Sequence, residues 1–303
     1  MKRDHGLTAR MAFTILMLSF AYVALIGILF WAGINPYLIF GFGIIMVFFQ
    51  YFMSDKLVLA ATKAKVVTEK ERPKLHSMID RLSKTAGIPK PKNIAIMDSE
   101  APNAFATGRS PKHATVAVTT GLLNKLNDEE LEAVLGHELG HVKNKDVMVM
   151  TWASLIIVVA GFLMQMLFWM SLFGGFGGRG RSNGGGGQLM IIMMIVYVSV
   201  IVIYFVSQLL VRALSRYREL AADRVGAELT GNPRHLASAL RKISSQIAMI
   251  PEKDLRQIEH ANAFFIIPAL QGKTMAAMMS SHPPTDLRVE RLMNMDRFMR
   301  GQQ

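Results

Sequence analysis

His137 and His141 stand four residues apart in the run HELGH, with Glu138 beside the first. On a helix this spacing puts both imidazoles on one face about one turn apart, which suits two nitrogen ligands of a tetrahedral zinc ion. In an HExxH run the glutamate is not a ligand. It takes a proton from the zinc-bound water, whose pKa the metal lowers to roughly 7, and so generates a nucleophile. The chain has no cysteine, which excludes disulfides, thiolate zinc sites and cysteine nucleophiles and leaves nitrogen and oxygen donors for any metal. A catalytic zinc needs a third protein ligand and one position open to water, and a carboxylate is the usual partner of two histidines. The ExxxD spacing of Glu219 and Asp223 offers one. Sharing a helix face, Glu219 binds the zinc in this reading, and Asp223 hydrogen-bonds the other nitrogen of a ligand histidine and fixes its ring. The plainer alternative for Asp223 is a solvated helix carboxylate. The expected cofactor is one Zn2+ per subunit.

These residues need helices to carry them. Asn127 is suited to cap a helix, with Glu130 three residues on reaching back, and that helix runs through HELGH. Before it, Leu75, Ile79 and Leu82 share one face of an amphipathic helix over 73–86, closed by Gly87 and Pro89. Three β-prone runs at 93–97, 104–107 and 115–119, separated by Ser, Pro, Gly and Lys, suggest a small antiparallel sheet.

The rest of the chain is apolar. Hydrophobic residues make up 51% of 303, and four nearly uncharged stretches at 11–31, 34–53, 147–173 and 189–211 each approach the ~20 residues a membrane span requires. The net charge of +12 falls beside these stretches, with Lys2, Arg3 and Arg10 before the first and Lys56, Lys63 and Lys65 after the second. That is the positive-inside pattern rather than a nucleic-acid footprint, and no nucleic-acid partner is expected. The expected domains are a transmembrane hairpin (1–54), a first cytoplasmic catalytic part (55–146), a second hairpin (147–211) with a glycine-rich external loop at 174–187, and a second cytoplasmic part (212–303). The fold class expected is a mainly α integral membrane protein, with four transmembrane helices and a cytoplasmic α+β zincin-like metalloprotease domain. His141 lies six residues before the third stretch and Glu219 eight after the fourth, so at ~1.5 Å per residue both stand roughly 9 to 12 Å from the membrane edge. His5, His76, His113, His235 and His260 lack ligand spacing.

With PNAFATG at 102–108, HELGH, RELAAD at 218–223 and SHPPTDLR at 281–288 in this order among the apolar stretches, the chain resembles the HtpX family of membrane-bound zinc metalloproteases. Type I CAAX prenyl endopeptidases are more distant relatives. The resemblance implies His137, His141 and Glu219 as ligands and Glu138 as general base. It implies an endopeptidase of the cell membrane, multi-pass and with its catalytic domain facing the cytoplasm, that removes damaged or misfolded membrane proteins and works beside other quality-control partners. It also implies a substrate-binding strand over Asn103, Ala104, Phe105, Ala106 and Thr107, an oxyanion-stabilising His282, and an Arg288 that supports the site. An edge strand suits that task because it binds extended peptide through main-chain hydrogen bonds. For His282 the alternative is a histidine held structurally by Pro283 and Pro284, and for Arg288 an exposed helix arginine.

Two competing readings make different demands. A prenyl protease needs more spans than four to enclose its chamber. A membrane scaffold or transporter with a structural zinc needs a closed four-ligand site, or acid and base pairs within its spans.

Overall fold

The computed structural model describes residues 4–173, 186–249 and 282–301. Two helices, α1 (His5–Trp31) and α2 (Pro36–Thr62), precede a sheet-bearing stretch. This comprises β1 (Lys65–Val66), α3 (Pro73–Ala86), β2 (Asn93–Met97), β3 (Ala104–Thr107), a short 3-10 turn at Pro111–His113, and β4 (Thr115–Thr119). Helices follow: α4 (Thr120–Lys125), α5 (Asp128–Lys143), α6 (Asp146–Phe173), α7 (Gly186–Thr230), α8 (Pro233–Met249) and α9 (Thr285–Met299). Contacts divide the chain into two compact units, each drawn from two separated stretches: Met1–Gln50 with Met150–Leu214, and Tyr51–Val149 with Ser215–Gln303.

Among the described residues, the first unit is helical and largely apolar both inside and outside. Leu18, Leu25, Ile156, Leu163 and Val196 fill its interior, while Phe13, Phe20, Trp169 and Ile191 are exposed on its outside. Helices without a polar face belong in lipid, because water would penalise the outward side as much as it drives burial of the inward one. Among the described residues, α1, α6 and α7 contain stretches long and apolar enough to cross a bilayer. The sequence reading expected four. The second stretch lies in α2, where the apolar run among described residues is Ile39–Phe49. The helix then runs on through Ser54, Asp55 and Lys56 to Thr62. The glycine-rich loop expected at 174–187 lies outside the described residues except for Gly186 and Gly187, which begin α7.

The second unit is built around a four-stranded sheet of order β1-β2-β4-β3. The antiparallel expectation is corrected here: β1 pairs with β2 and β3 with β4 antiparallel, but β2 and β4 run parallel, from Asn93 opposite Thr115 to Met97 opposite Thr119. Burial explains the order. Every residue of Thr115–Thr119 is buried, which requires strands on both sides and layers on both faces, so β4 takes the centre and β3 is pushed to the edge. On one face Ile79, Leu82, Val116, Val134, Leu139 and Leu240 form a core joining α3, α5 and α8 to the sheet. On the other, Ala95, Phe105 and Ala117 pack with Val58 of α2.

Candidate metal centre

Helix α5 begins with a reciprocal cap. The Asn127 side chain accepts from Glu130 N at 2.9 Å, and Glu130 Oε2 accepts from Asn127 N at 3.1 Å. Glu130 also accepts from Ser238 Oγ at 2.7 Å and pairs with Lys242 Nζ at 2.8 Å, which ties the start of α5 to α8. Three and two residues before HELGH, fully buried Val134 and Leu135 anchor the helix, each apolar side chain contributing about 2 kcal/mol.

Helix α7 crosses α5 at backbone contact. A Cβ added to Gly226 would lie 2.7 Å from His137 N and 2.9 Å from His137 Cα, and one on Gly140 would lie 3.1 Å from Ala222 O. Only hydrogen fits between the two backbones at Gly226. This proximity brings Glu219 over the HELGH face: Oε1 is 3.4 Å from His141 Nε2, Oε2 is 3.6 Å from His137 Nε2, and the two Nε2 atoms are 3.2 Å apart. One ligand atom from each of His137, His141 and Glu219 lies within 4.8 Å of the others.

Each ring is oriented from behind. His137 Nδ1 is 2.9 Å from Asp223 Oδ1, and His141 Nδ1 is 2.6 Å from Asp146 Oδ2. Arg288, 1% exposed, grips Asp223 with two donors, Nε to Oδ2 at 2.8 Å and Nη2 to Oδ1 at 2.7 Å. Its Nη1 lies 3.7 Å from Glu219 Oε2. His282, just before α9, sets Nδ1 3.1 Å from the same oxygen. Glu138 is buried on the ligand helix, and its charge acts on both His141 and Arg288.

The donor set fits a divalent cation. With both Nδ1 atoms facing carboxylates, the ring protons are drawn there and the two Nε2 lone pairs converge with the Glu219 carboxylate on one point. Three such acceptors repel unless positive charge sits among them. Burial lowers the pKa of His141 and favours its neutral ring, whereas the other groups shift towards holding positive charge at the centre. Burial opposes a charged His137, but hydrogen bonds to Asp223 and Glu219 outweigh it and raise its pKa to about 9. Burial also opposes ionised carboxylates, yet the charge of Arg288 pulls Asp223 to about 2, and the charges of His282 and His141 hold Glu219 well below the usual carboxylate range. The centre seeks a cation, and a metal ion competes with a proton for it.

Asp146 and Arg218 were not foreseen as part of this centre. Arg218 pairs with Asp146 Oδ1 and donates to the Asn144 carbonyl at 2.8 Å. Nor were Gly136, Gly140 and Gly226, although their signal was present: small residues four apart, Gly136 with Gly140 and Ala222 with Gly226, mark helices that approach closely.

The expected strand Ala104–Thr107 forms one end of the sheet, and its outer edge pairs with no strand among the described residues. Asn103 precedes it, its carbonyl accepting from Thr119 N at 2.9 Å. Antiparallel alternation then turns the main-chain groups of Ala104 and Ala106 away from β4. Beside Ala106 a small, partly open cleft is lined by Gly108, Arg109, His141, Val142 and Met148.

Two histidines and a carboxylate converge from two helices, and the described residues include three apolar helices of membrane-crossing length, features that suit a membrane-associated metallopeptidase. Residues 69–296 match the model of Peptidase family M48. The chain is 48% identical over 297 residues to "Protease HtpX homolog" of Moorella thermoacetica, covering 98% of this chain and 96% of that protein. It is 47% identical over 298 residues to "Protease HtpX homolog 2" of Methanosarcina acetivorans, covering 98% of each. The chain therefore belongs to peptidase family M48, among its HtpX proteases. Its fold is shared with the crystal structure of S. mikatae Ste24p, at a TM-score of 0.57 and 18% identity over 95% of this chain and 67% of that one.

Proposed function

We propose that this protein is a zinc-dependent endopeptidase of the cell membrane that cuts misfolded or damaged membrane proteins on the cytoplasmic side. The observation that carries the reading is the convergence of His137 Nε2, His141 Nε2 and the Glu219 carboxylate, with Glu138 adjacent on the same helix. When bound there, zinc acidifies a water molecule and polarises the scissile carbonyl. Glu138 takes the proton of the attacking water and returns it to the departing amine. His282 supplies a donor where negative charge develops on the carbonyl oxygen. Asp223, held by Arg288, keeps the His137 ring in register. Asn103 and the Ala104–Thr107 strand hold the substrate extended, with the outward main-chain groups of Ala104 and Ala106 as its partners.

Metal content and cleavage of casein or a membrane substrate by detergent-purified protein test this reading. Glu138→Gln should keep about one zinc and lose cleavage, while Glu219→Ala should lose both. If both variants cut as wild type does, the site is structural. The cytoplasmic placement, with α2 as a fourth crossing, is supported by the basic residues flanking the apolar stretches. Because the chain has no native cysteine, single Lys65→Cys and Asn35→Cys variants report sidedness directly. Labelling of Lys65→Cys by an impermeant reagent added outside intact cells would reverse the proposed topology.

A further inference from the structure

The two metal-facing rings are supported in matching ways. Behind His137 stands a carboxylate, Asp223, clamped by a buried arginine, Arg288; behind His141 stands Asp146, paired with Arg218. Asp146 is 6% exposed and Arg218 8%, so neither is a surface charge that happens to lie nearby. The local backbone is shaped to bring Asp146 there. Helix α5 ends at Lys143 with Asn144 as its cap, Lys145 adopts a left-handed φ of 56°, and α6 starts on Asp146. That two-residue reversal folds the first side chain of α6 back onto His141, five residues earlier. The left-handed region costs a lysine roughly 1 kcal/mol, an expense retained where the reversal is needed. Arg218 closes the reversal from α7, holding both the Asp146 carboxylate and the Asn144 carbonyl.

We propose that Asp146, clamped by Arg218, is a positioning residue for the metal centre: it holds the Nδ1 proton of His141 and so keeps Nε2 as the ligand atom. This rests on the metallopeptidase reading of the site. It adds a second, independent carboxylate–histidine relay to the one through Asp223, so each ligand ring has its own. A residue in this role raises ligand basicity and fixes ring orientation, and its loss typically weakens metal binding by about 10- to 100-fold.

The test is zinc affinity by chelator competition on full-length protein in detergent, read beside thermal stability and the visible spectrum of the cobalt(II)-loaded form. Asp146→Ala should weaken zinc binding by about 10- to 100-fold and alter the cobalt spectrum. It also strands a buried guanidinium, so its melting temperature should fall. The double variant Asp146→Ala with Arg218→Met removes the stranded charge. It should recover stability but not affinity, a split that a merely structural role would not produce. Asp146→Asn, whose amide oxygen still accepts from Nδ1, should retain most of the affinity. If the double variant binds zinc as tightly as wild type, or if Asp146→Asn and Asp146→Ala lose affinity equally, the assignment is overturned. The metallopeptidase reading fails separately, and takes this assignment with it, if wild-type protein binds neither zinc nor cobalt.

Discussion

Substituting Gly226 by Ala places one methyl group where α5 and α7 touch. The new Cβ would stand 2.7 Å from His137 N and 2.9 Å from His137 Cα, both backbone atoms that cannot swing aside. Ordinary contact lies near 3.5 Å, so the helices must separate by roughly 0.7 Å. Overpacking of this kind costs about 1 to 3 kcal/mol, against about 1 kcal/mol gained by replacing a helical glycine with alanine. A net loss of up to about 2 kcal/mol lowers the melting temperature by as much as a few degrees in a unit of this size. The effect on the centre is larger. Glu219 sits on α7 and both histidines on α5, and metal–ligand distances tolerate about 0.2 Å, so a shift several times that should weaken zinc binding at least about tenfold. Thermal melting and zinc competition on full-length Gly226→Ala measure the two effects, with Gly27→Ala as control because its Cβ position meets nothing within 4 Å. If Gly226→Ala melts and binds zinc as the control does, the argument that helix proximity builds this site is refuted.

Glu130→Gln should destabilise the protein by about 1 to 2 kcal/mol at neutral pH, through loss of the Lys242 pair and the weakened bond from Ser238. Burial opposes ionisation of Glu130, but Lys242, Ser238 and the Asn127 N–H outweigh it and lower the pKa below 4.5. Its contribution is therefore complete above pH 4.5 and disappears as pH falls through the lowered value, so denaturation curves of wild type and variant should converge in acid; a gap that persists below both values would contradict this. Ala106→Pro removes one outward N–H from an edge strand that tolerates proline, so kcat/KM for an unfolded substrate should fall by roughly tenfold while zinc content and folding stay normal. Unchanged kinetics would remove the strand from the substrate path.

Apart from Glu219 and Asp223, sought because zinc needs a third ligand, and the residues that the family resemblance implied, what the sequence disclosed was local. HELGH, the Asn127 and Glu130 cap, and the helix over Pro73–Ala86 with its Gly87 terminus at φ 69° all rest on contacts within a few residues. The parallel pairing of β2 with β4 was not legible, because three short β-prone runs read equally well as a meander; the order is decided by which strand must be buried on both faces. Asp146 and Arg218 escaped notice for a similar reason. An aspartate opening an apolar helix reads as a helix-start charge and an arginine after one as a membrane flank, and their pairing spans more than 70 residues of chain.

If the outer amides and carbonyls of Ala104–Thr107 receive substrate as proposed, the strand is also a test of folding status. In a native sheet those groups are already paired with a neighbour, and in a helix each is satisfied within its own segment, so a folded protein has little to offer the Ala104–Thr107 edge. A segment that has lost its structure offers a donor or acceptor at nearly every residue, whatever its side chains. An edge in that role would discriminate by conformation before composition, and a substrate that refolded would cease to be one.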